Sequence, residues 1–181
     1  MFKRNLFSGI LLSLILFTFS FKNLPTPYKF PELYRFPKMP VSETNPVTIE
    51  GVELGRYLFY DTILSKDNSF SCGSCHKQER AFSNSPETFS KGLKGDLMNR
   101  NTPALFNLAW YPTFFWDGRA NTLEEQILHP VRAANEMNLN WKEAALRIKK
   151  NMFYKPKFEI VFGKKEIDSI LISKADRKSV V

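Results

Sequence analysis

The residues best suited to chemistry stand close together in "SFSCGSCHKQ", residues 69–78. This stretch holds Cys72 and Cys75, the only two cysteines of the chain, and His76 follows directly. Thiols at this spacing occur in redox dithiols, in zinc sites and in the attachment of haem c. A zinc site needs four ligands, and beyond His76 the sequence offers only one more histidine, the distant His129.

The histidine directly after the second cysteine favours haem attachment. Two cysteines three positions apart lie on one side of a helical turn, where their thiols can form thioethers with the two haem vinyl groups. The next residue then places an imidazole on the iron. We therefore predict one covalent haem c, attached through Cys72 and Cys75, with His76 as the proximal iron ligand.

The first residues indicate the compartment of that haem. After Lys3 and Arg4, a mostly apolar run extends from Leu6 to about Phe21, which is typical of a secretory signal peptide. An uncleaved membrane anchor is the alternative, because the run is near the lower limit for a membrane span. We assign residues 1–22 to a signal peptide or an N-terminal anchor, and we expect a periplasmic protein that is either free or tethered.

Composition is compatible with one domain that wraps an apolar macrocycle. The chain has 181 residues, of which 17 are phenylalanine, and its net charge is +8. This charge provides solubility or, alternatively, a surface for a redox partner. No basic stripe interleaved with aromatic residues is present, so we expect no nucleic-acid partner.

The segment from residue 23 to residue 47 is rich in proline and aromatic residues, as in "LPTPYKFPELYRFPKMPVSETNP". Proline removes a backbone donor and clashes with the preceding helical turn, so this segment cannot form a long helix. We predict an extended arm on the surface of the domain.

Regular structure is predicted to begin near Thr48, where "TIEGVELGRYLFYD" shows a helical apolar face. That face consists of Val52, Gly55, Leu58 and Phe59. Glycine in mid-helix costs stability. We therefore expect another backbone, or the haem, to approach this helix closely at Gly55.

Capping boxes indicate where two further helices start. Thr122 is followed by Glu125, and Asn140 by Glu143. Pro130 limits how far the first of these helices can run, and "KKEIDSILISKA" looks like the start of one more helix. Strand signals are few. The predicted fold class is mainly α, a cytochrome c-like haem domain with long loops and an extended N-terminal arm.

Three stretches follow one another along the chain: "LGRYLFYDTILSKDNSFSCGSCHKQERAFS", "RNTPALFNLAW" and "FFWDGRANTLEEQILHPVRAANEMN". In this order they resemble the bacterial di-haem cytochrome c peroxidase family, which includes the MauG-type enzymes. The resemblance extends from about Tyr28 to Gly163. It implies that residues 48–163 form the family's N-terminal, peroxidatic haem domain. Residues 164–181 would then be the truncated start of a linker to a second haem domain.

The resemblance also implies two residues for the acid–base chemistry of peroxide cleavage. Gln126 matches a glutamine in the helix after W-D-G-R, and Glu136 matches a glutamate just before a methionine. A carboxyl group in an apolar pocket has a raised pKa and can move a proton between the two peroxide oxygens, whereas an amide can orient peroxide without ionising. Without the family match, Glu136 would be interpreted as a surface carboxylate in a polar run.

Two further residues match family positions that face the second domain. Trp116 in "FWDGR" matches a tryptophan that lies between the two haems and serves electron transfer; alone, a tryptophan beside two phenylalanines would be interpreted as core. Asn101 in "RNTP" matches one ligand of a calcium ion between the two haem domains. The other calcium ligands belong to the second domain.

The sequence departs from the family in the loop after the haem motif. Many members carry S-x-G-H there, with a histidine that caps the iron, whereas this chain has Leu93 at that position. The remaining imidazole, His129, has a structural or exposed role or lies near the haem beside Pro130. Met137 as a sixth iron ligand is the alternative expected of a simple cytochrome.

The resemblance implies a peroxidase domain that reduces hydrogen peroxide to water. Its electrons would come from a small redox protein such as a cytochrome c or a cupredoxin. A mono-haem electron-transfer cytochrome and an inactive fragment of a di-haem enzyme are the alternatives. MauG-like oxidation of another substrate is a further activity that the sequence does not separate from peroxidase activity.

Overall fold

The computed structural model describes residues 24–180, and α-helices carry most of the regular structure in this range. The predicted signal peptide or anchor, residues 1–22, lies outside the described residues. The helices are α1 (Ile49–Tyr60), α2 (Cys72–Cys75), α3 (Leu123–Arg132), α4 (Trp141–Lys150), α5 (Tyr154–Phe162) and α6 (Ser169–Asp176). Extended segments pair only through isolated bridges in the described part of the chain. The prediction of a mainly α, cytochrome c-like domain is confirmed.

The described arm, residues 24–47, contains no helix and is mostly exposed, as predicted. Backbone hydrogen bonds join the two ends of the arm to each other and join its start to α1. The Tyr28 N–H donates to the Val47 carbonyl oxygen at 3.0 Å, and the Ile49 N–H donates to the Thr26 carbonyl oxygen at 2.8 Å. Between residues 24 and 180, no helix is long and apolar enough to cross a membrane.

Helix α1 begins where the sequence predicts. Thr48 is its N-cap, and the Thr48 hydroxyl accepts a hydrogen bond from the Gly51 N–H at 3.1 Å. Gly55 allows the close approach that was expected, since a β-carbon there would lie 2.6 Å from the Ala175 carbonyl oxygen. The C-terminal end of the described chain therefore packs directly on the backbone of α1.

An apolar core joins five of the six helices. It is buried between α1, α3, α4, α5 and α6, and its largest members include Leu54, Leu58, Ile148, Tyr154, Phe158 and Ile172. The Tyr154 hydroxyl donates a hydrogen bond to the Asp61 carboxylate at 2.7 Å. This bond fixes the start of α5 against the end of α1.

The helix start that "KKEIDSILISKA" predicts is present. Helix α6 forms with Asp168 as its N-cap and continues into a 3-10 turn at Arg177–Val180. Asp176 and Lys178 are both buried. The Lys178 ammonium group donates to the Asn45 side chain, so the fold buries charged groups where the sequence provides few apolar ones.

Both capping residues were predicted correctly, but the helix at Pro130 was not. The Thr122 hydroxyl accepts from the Glu125 N–H at 3.1 Å, and the Asn140 side chain accepts from the Lys142 N–H at 2.8 Å. Helix α3 continues past Pro130 to Arg132. The helix ends two residues after the proline, and the following loop satisfies its last carbonyl groups: the Met137 N–H donates to the Pro130 carbonyl oxygen at 3.2 Å.

Candidate haem site

The two cysteines lie on a single helical turn. Helix α2 is four residues long, and the His76 N–H closes it by donating to the Cys72 carbonyl oxygen at 2.9 Å. The Ser74 hydroxyl accepts from the Ser71 N–H at 3.0 Å and fixes the start of the turn. Both Cys72 and Cys75 are free thiols that are partly buried. This arrangement presents two thiols from one turn, as haem attachment requires.

The His76 ring is oriented by a backbone carbonyl. Its Nδ1–H donates to the Phe82 carbonyl oxygen at 2.8 Å, which leaves Nε2 as the nitrogen with a lone pair. Burial lowers the pKa of His76, which favours the neutral ring. A neutral imidazole with Nδ1 bound to a carbonyl is the state in which histidine ligates a metal.

Unusual backbone geometry positions that carbonyl. Ala81 and Phe82 both have a positive φ, of 54° each, in the left-handed region that side chains other than glycine rarely occupy. The Phe82 N–H donates to the Lys77 carbonyl oxygen at 2.8 Å, so the loop folds back over the haem motif. Such conformations cluster at functional sites. The sequence gives no signal for this loop, and our sequence-based interpretation missed it.

These residues fit a covalent haem c. The thiols share one turn, the imidazole has the required tautomer, and the Phe59 ring lies 6.4 Å from the His76 ring. Burial raises the pKa of both Cys72 and Cys75, which opposes the thiolate that a redox dithiol needs. Among residues 24–180, no three His, Cys, Asp or Glu side chains are grouped to hold a zinc ion.

Glu136 lies in the loop after α3, on the side of the thiols. Its N–H donates to the Ala133 carbonyl oxygen at 2.9 Å, and its own carbonyl oxygen accepts from the Leu93 N–H at 3.3 Å. The side chain is partly buried. Burial raises the pKa of Glu136, while the positive charge of Arg119 acts in the opposite direction. The negative charge of Glu136 also contributes to the raised pKa of Cys75, so the carboxylate and the haem motif lie within electrostatic reach.

The loop with the missing histidine packs against this segment. A β-carbon on Gly92 would lie 1.7 Å from the Asn135 carbonyl oxygen, so only glycine fits there. Gly92 is followed by Leu93, the position at which many family members have a capping histidine. Leu93, which replaces that histidine, is therefore joined to Glu136 by a backbone hydrogen bond.

Helix α3 carries Gln126 and His129, and both are partly buried. The His129 ring packs edge-on against Phe115 with 5.3 Å between ring centroids. Burial lowers the pKa of His129, and the charges of Arg132 and Arg119 lower it further. This packing agrees with a structural role for His129. The roles of Gln126 and Glu136 in peroxide chemistry stay predictions.

Arg119 is a residue of this region that our sequence-based interpretation did not single out, although it belongs to the W-D-G-R block. Its guanidinium carbon lies 3.5 Å from the centre of the Phe115 ring. Asp117 accepts from Arg119 at 2.8 Å and from Arg100 at 3.1 Å. These contacts fix one cation near the Glu136 side of the site.

Trp116 is not a core residue, so that alternative interpretation is wrong: 65% of its surface is exposed. Its Nε1–H donates to the Asn101 carbonyl oxygen at 2.9 Å. The Asn101 amide in turn donates to the Asn84 side chain at 3.1 Å and to the Glu87 carbonyl oxygen at 3.0 Å. Trp116 and Asn101 are thus joined. The predictions of electron transfer and of calcium binding stay open.

Met137 points into the core. Only 3% of its surface is exposed, and it belongs to the apolar cluster between the helices. Its carbonyl oxygen accepts from the Lys66 N–H at 2.9 Å. The structure thus gives Met137 a packing role, which does not favour the alternative of a sixth iron ligand.

Comparisons with known proteins agree with the motifs. A family model described as "Di-haem cytochrome c peroxidase" matches residues 49–177. The methylamine utilization protein MauG of Methylophilus methylotrophus is 35% identical over 153 residues, which cover 84% of this chain and 44% of that protein. Cytochrome c551 peroxidase of Nitrosomonas europaea is 33% identical over 131 residues, 72% of this chain and 39% of that protein.

A solved structure shows the same fold. The crystal structure of a MauG-like protein associated with microbial copper homeostasis superimposes with a TM-score of 0.69 at 32% sequence identity. The match covers 83% of this chain and 47% of that one. The chain therefore spans less than half the length of these relatives.

Proposed function

Because the chain belongs to the di-haem cytochrome c peroxidase family, we propose that it is a haem c peroxidase domain that reduces hydrogen peroxide to water. The reaction consumes two electrons and two protons for each peroxide. The electrons would come from a small redox protein, a cytochrome c or a cupredoxin, with a second haem domain as a further partner. Peroxidase activity is proposed ahead of MauG-like substrate oxidation because it needs no second substrate besides the electron donor.

One observation carries this proposal: an oriented, neutral His76 and a carboxyl group of raised pKa, Glu136, lie around the same pair of thiols. Cys72 and Cys75 would hold the porphyrin, and His76 would ligate the iron. A bound haem c supplies the redox-active iron at which peroxide is reduced. A simple electron carrier would need no carboxyl group of this kind.

Glu136 would handle the protons of the reaction. A carboxyl group whose pKa is raised by burial exchanges protons near neutral pH more readily than an exposed one. It can accept the proton of one peroxide oxygen and return it to the other, which leaves as water. Gln126 would orient peroxide through its amide. The Arg119 cation would limit how far burial raises the pKa of Glu136.

The test is Glu136→Gln in the haem-loaded protein, mixed with one equivalent of peroxide in a stopped-flow spectrometer. We expect peroxide consumption to slow by about 10²- to 10⁴-fold, with unchanged haem content by the alkaline pyridine assay. Glu159→Gln is the matched control, because Glu159 is an exposed carboxylate on α5.

Two results would contradict the proposal. A Glu136→Gln variant that consumes peroxide as fast as the parent would remove Glu136 from the mechanism. A parent protein that ignores peroxide, yet accepts and returns one electron reversibly, would instead be an electron-transfer cytochrome.

A further inference from the structure

An open groove of about 850 Å³ follows the exposed side of α1. Its apolar walls are Tyr28, Ile49, Tyr57, Tyr60 and Phe153. Four of these side chains are 41–52% exposed: Ile49, Tyr57, Tyr60 and Phe153. The adjoining Met152, in the turn between α4 and α5, is 88% exposed. Contiguous apolar surface of this kind commonly marks an interaction site.

The acidic side chains inside the groove are already engaged. Glu53 accepts from the Lys157 ammonium group at 3.1 Å. The same ammonium nitrogen lies 4.8 Å from the ring centres of both Tyr57 and Phe153. Asp61, the other acidic residue that lines the groove, accepts hydrogen bonds from the Tyr154 hydroxyl at 2.7 Å and from the Ile63 N–H at 2.8 Å. The groove floor is therefore mostly aromatic, and its carboxylates are engaged within the fold.

Basic side chains surround this surface. Arg56 lines the groove and is exposed, and three exposed lysines adjoin the apolar residues of this face along the chain: Lys29 follows Tyr28, Lys155 follows Tyr154, and Lys150 is two residues before Met152. The nearest acidic group at the start of α1, Glu50, is engaged with Thr26, whose N–H and hydroxyl both donate to its carboxylate at 2.8 Å. Apolar side chains within a basic rim complement a surface of anionic lipid.

The apolar N-terminal run joins the domain at this face. Thr26 is hydrogen-bonded to the first turn of α1, and Leu24, two residues earlier, is 81% exposed. Only two residues separate Leu24 from Phe21, where the apolar run ends. An anchor formed by that run would hold the groove within a few residues of the bilayer.

We propose that this face, the lipid face, formed by the groove walls, Met152 and the basic rim, docks on an anionic lipid surface. The proposal uses the uncleaved-anchor interpretation of residues 1–22 and is independent of peroxidase activity. Docking would hold the haem domain at the membrane surface in a fixed orientation.

The test places an indole on the lipid face of the full-length, haem-loaded chain. Met152→Trp is tolerated because the side chain is solvent-exposed, and Leu97→Trp, at a position that is 60% exposed, is the matched control. Each variant is reconstituted into vesicles of phosphatidylcholine with phosphatidylglycerol, with either plain or brominated acyl chains. We expect bromine to quench the indole added at position 152 and not the one added at position 97.

Charge reversal tests the basic rim. Lys155→Glu should shift the balance between docked and undocked protein by at least about five-fold, because one basic charge near an anionic surface contributes about 1 kcal/mol. The quenching at position 152 should fall accordingly, and it should also fall in phosphatidylcholine alone. Equal quenching at positions 97 and 152, or no quenching at 152 in anionic vesicles, would overturn the proposal.

Discussion

The buried carboxyl group of Asp176 should make the stability of the protein depend on pH. The fold buries this group without a hydrogen-bond partner for Oδ1. Only 4% of the residue is exposed. Burial raises the pKa of Asp176 to about 7, whereas an aspartate in an unfolded chain has a pKa of about 3.9. The folded protein therefore binds this proton more tightly than the unfolded chain does.

The sign of the effect on stability follows from that difference. Because the pKa is higher in the folded state, the contribution of Asp176 is fully present below about pH 4 and is lost as the pH rises to about 7. A tenfold difference in proton affinity corresponds to about 1.4 kcal/mol, so the difference between about 3.9 and about 7 corresponds to about 4 kcal/mol. Asp176→Asn, which resembles the protonated side chain, should be more stable than the parent by up to this amount above pH 7.

Urea unfolding of the haem-loaded protein at about pH 5 and about pH 7 tests this prediction. Burial lowers the pKa of Lys178 to about 8, so its contribution to the stability of the fold is lost as the pH falls through about 8, opposite to that of Asp176. Between about pH 5 and about pH 7 Lys178 is largely protonated, and its contribution changes little. Subtracting the free energy of unfolding of the parent from that of the variant also cancels the contributions of the other titrating groups. Asp96→Asn, at an exposed aspartate, should change nothing. The reasoning is refuted if the difference in the free energy of unfolding between Asp176→Asn and the parent is the same at both pH values.

Two other substitutions test the packing of α1. Gly55→Ala gains about 1 kcal/mol of helix propensity, but its β-carbon would lie 2.6 Å from the Ala175 carbonyl oxygen. Because separating the two backbones costs up to about 3 kcal/mol, we expect the variant to unfold at a lower temperature than the parent. A more stable variant would contradict the contact. Tyr154→Phe removes the buried hydrogen bond to Asp61 and should cost about 1.5–3 kcal/mol, whereas Tyr60→Phe, at an exposed tyrosine, should cost little. Equal losses from the two phenylalanine substitutions in urea unfolding would remove the special role of the buried bond.

Local patterns in the sequence predicted most of the helices. Thr122 and Asn140 are N-caps in the structure as they were predicted to be, because a capping side chain acts within three residues of its own position. Helix α1 also begins beside Thr48, as predicted. The close approach at Gly55 was also predicted, because glycine in mid-helix costs stability unless something requires it. What approaches could not be predicted, since the contact joins residues more than a hundred positions apart.

The helix through Pro130 and the burial of Asp176 were not predictable for the same reason. Both depend on tertiary structure that local patterns do not contain. Helix α3 ends only two residues after Pro130, where the N–H groups of the following loop donate to its last carbonyl groups. Asp176 is buried because its neighbours on α6 pack on α1, and the residue is carried into the interior with them.

At the candidate site, the sequence identified the groups that would react but not the groups that orient them. The haem motif is local, so Cys72, Cys75 and His76 could be assigned from spacing alone. The Phe82 carbonyl that holds His76 depends on two consecutive residues of positive φ, and neither alanine nor phenylalanine indicates such a conformation. Backbone groups carry no signature in the sequence, so their part in a site appears only in the structure.

The change at Leu93 bears on Glu136 as well as on the iron. The two residues belong to segments that touch, because Gly92 packs on the Asn135 carbonyl oxygen and the Leu93 N–H donates to Glu136. An ionisable imidazole at position 93 would place a second titrating group next to the segment that carries the carboxyl group. Leucine adds none, so burial dominates the pKa of Glu136 and Arg119 is the cation that opposes it. Leucine at position 93 would thus leave a bound haem iron without a histidine ligand from that loop, and it leaves burial and Arg119 as the two influences on the pKa of the carboxyl group that would accept and return the peroxide proton.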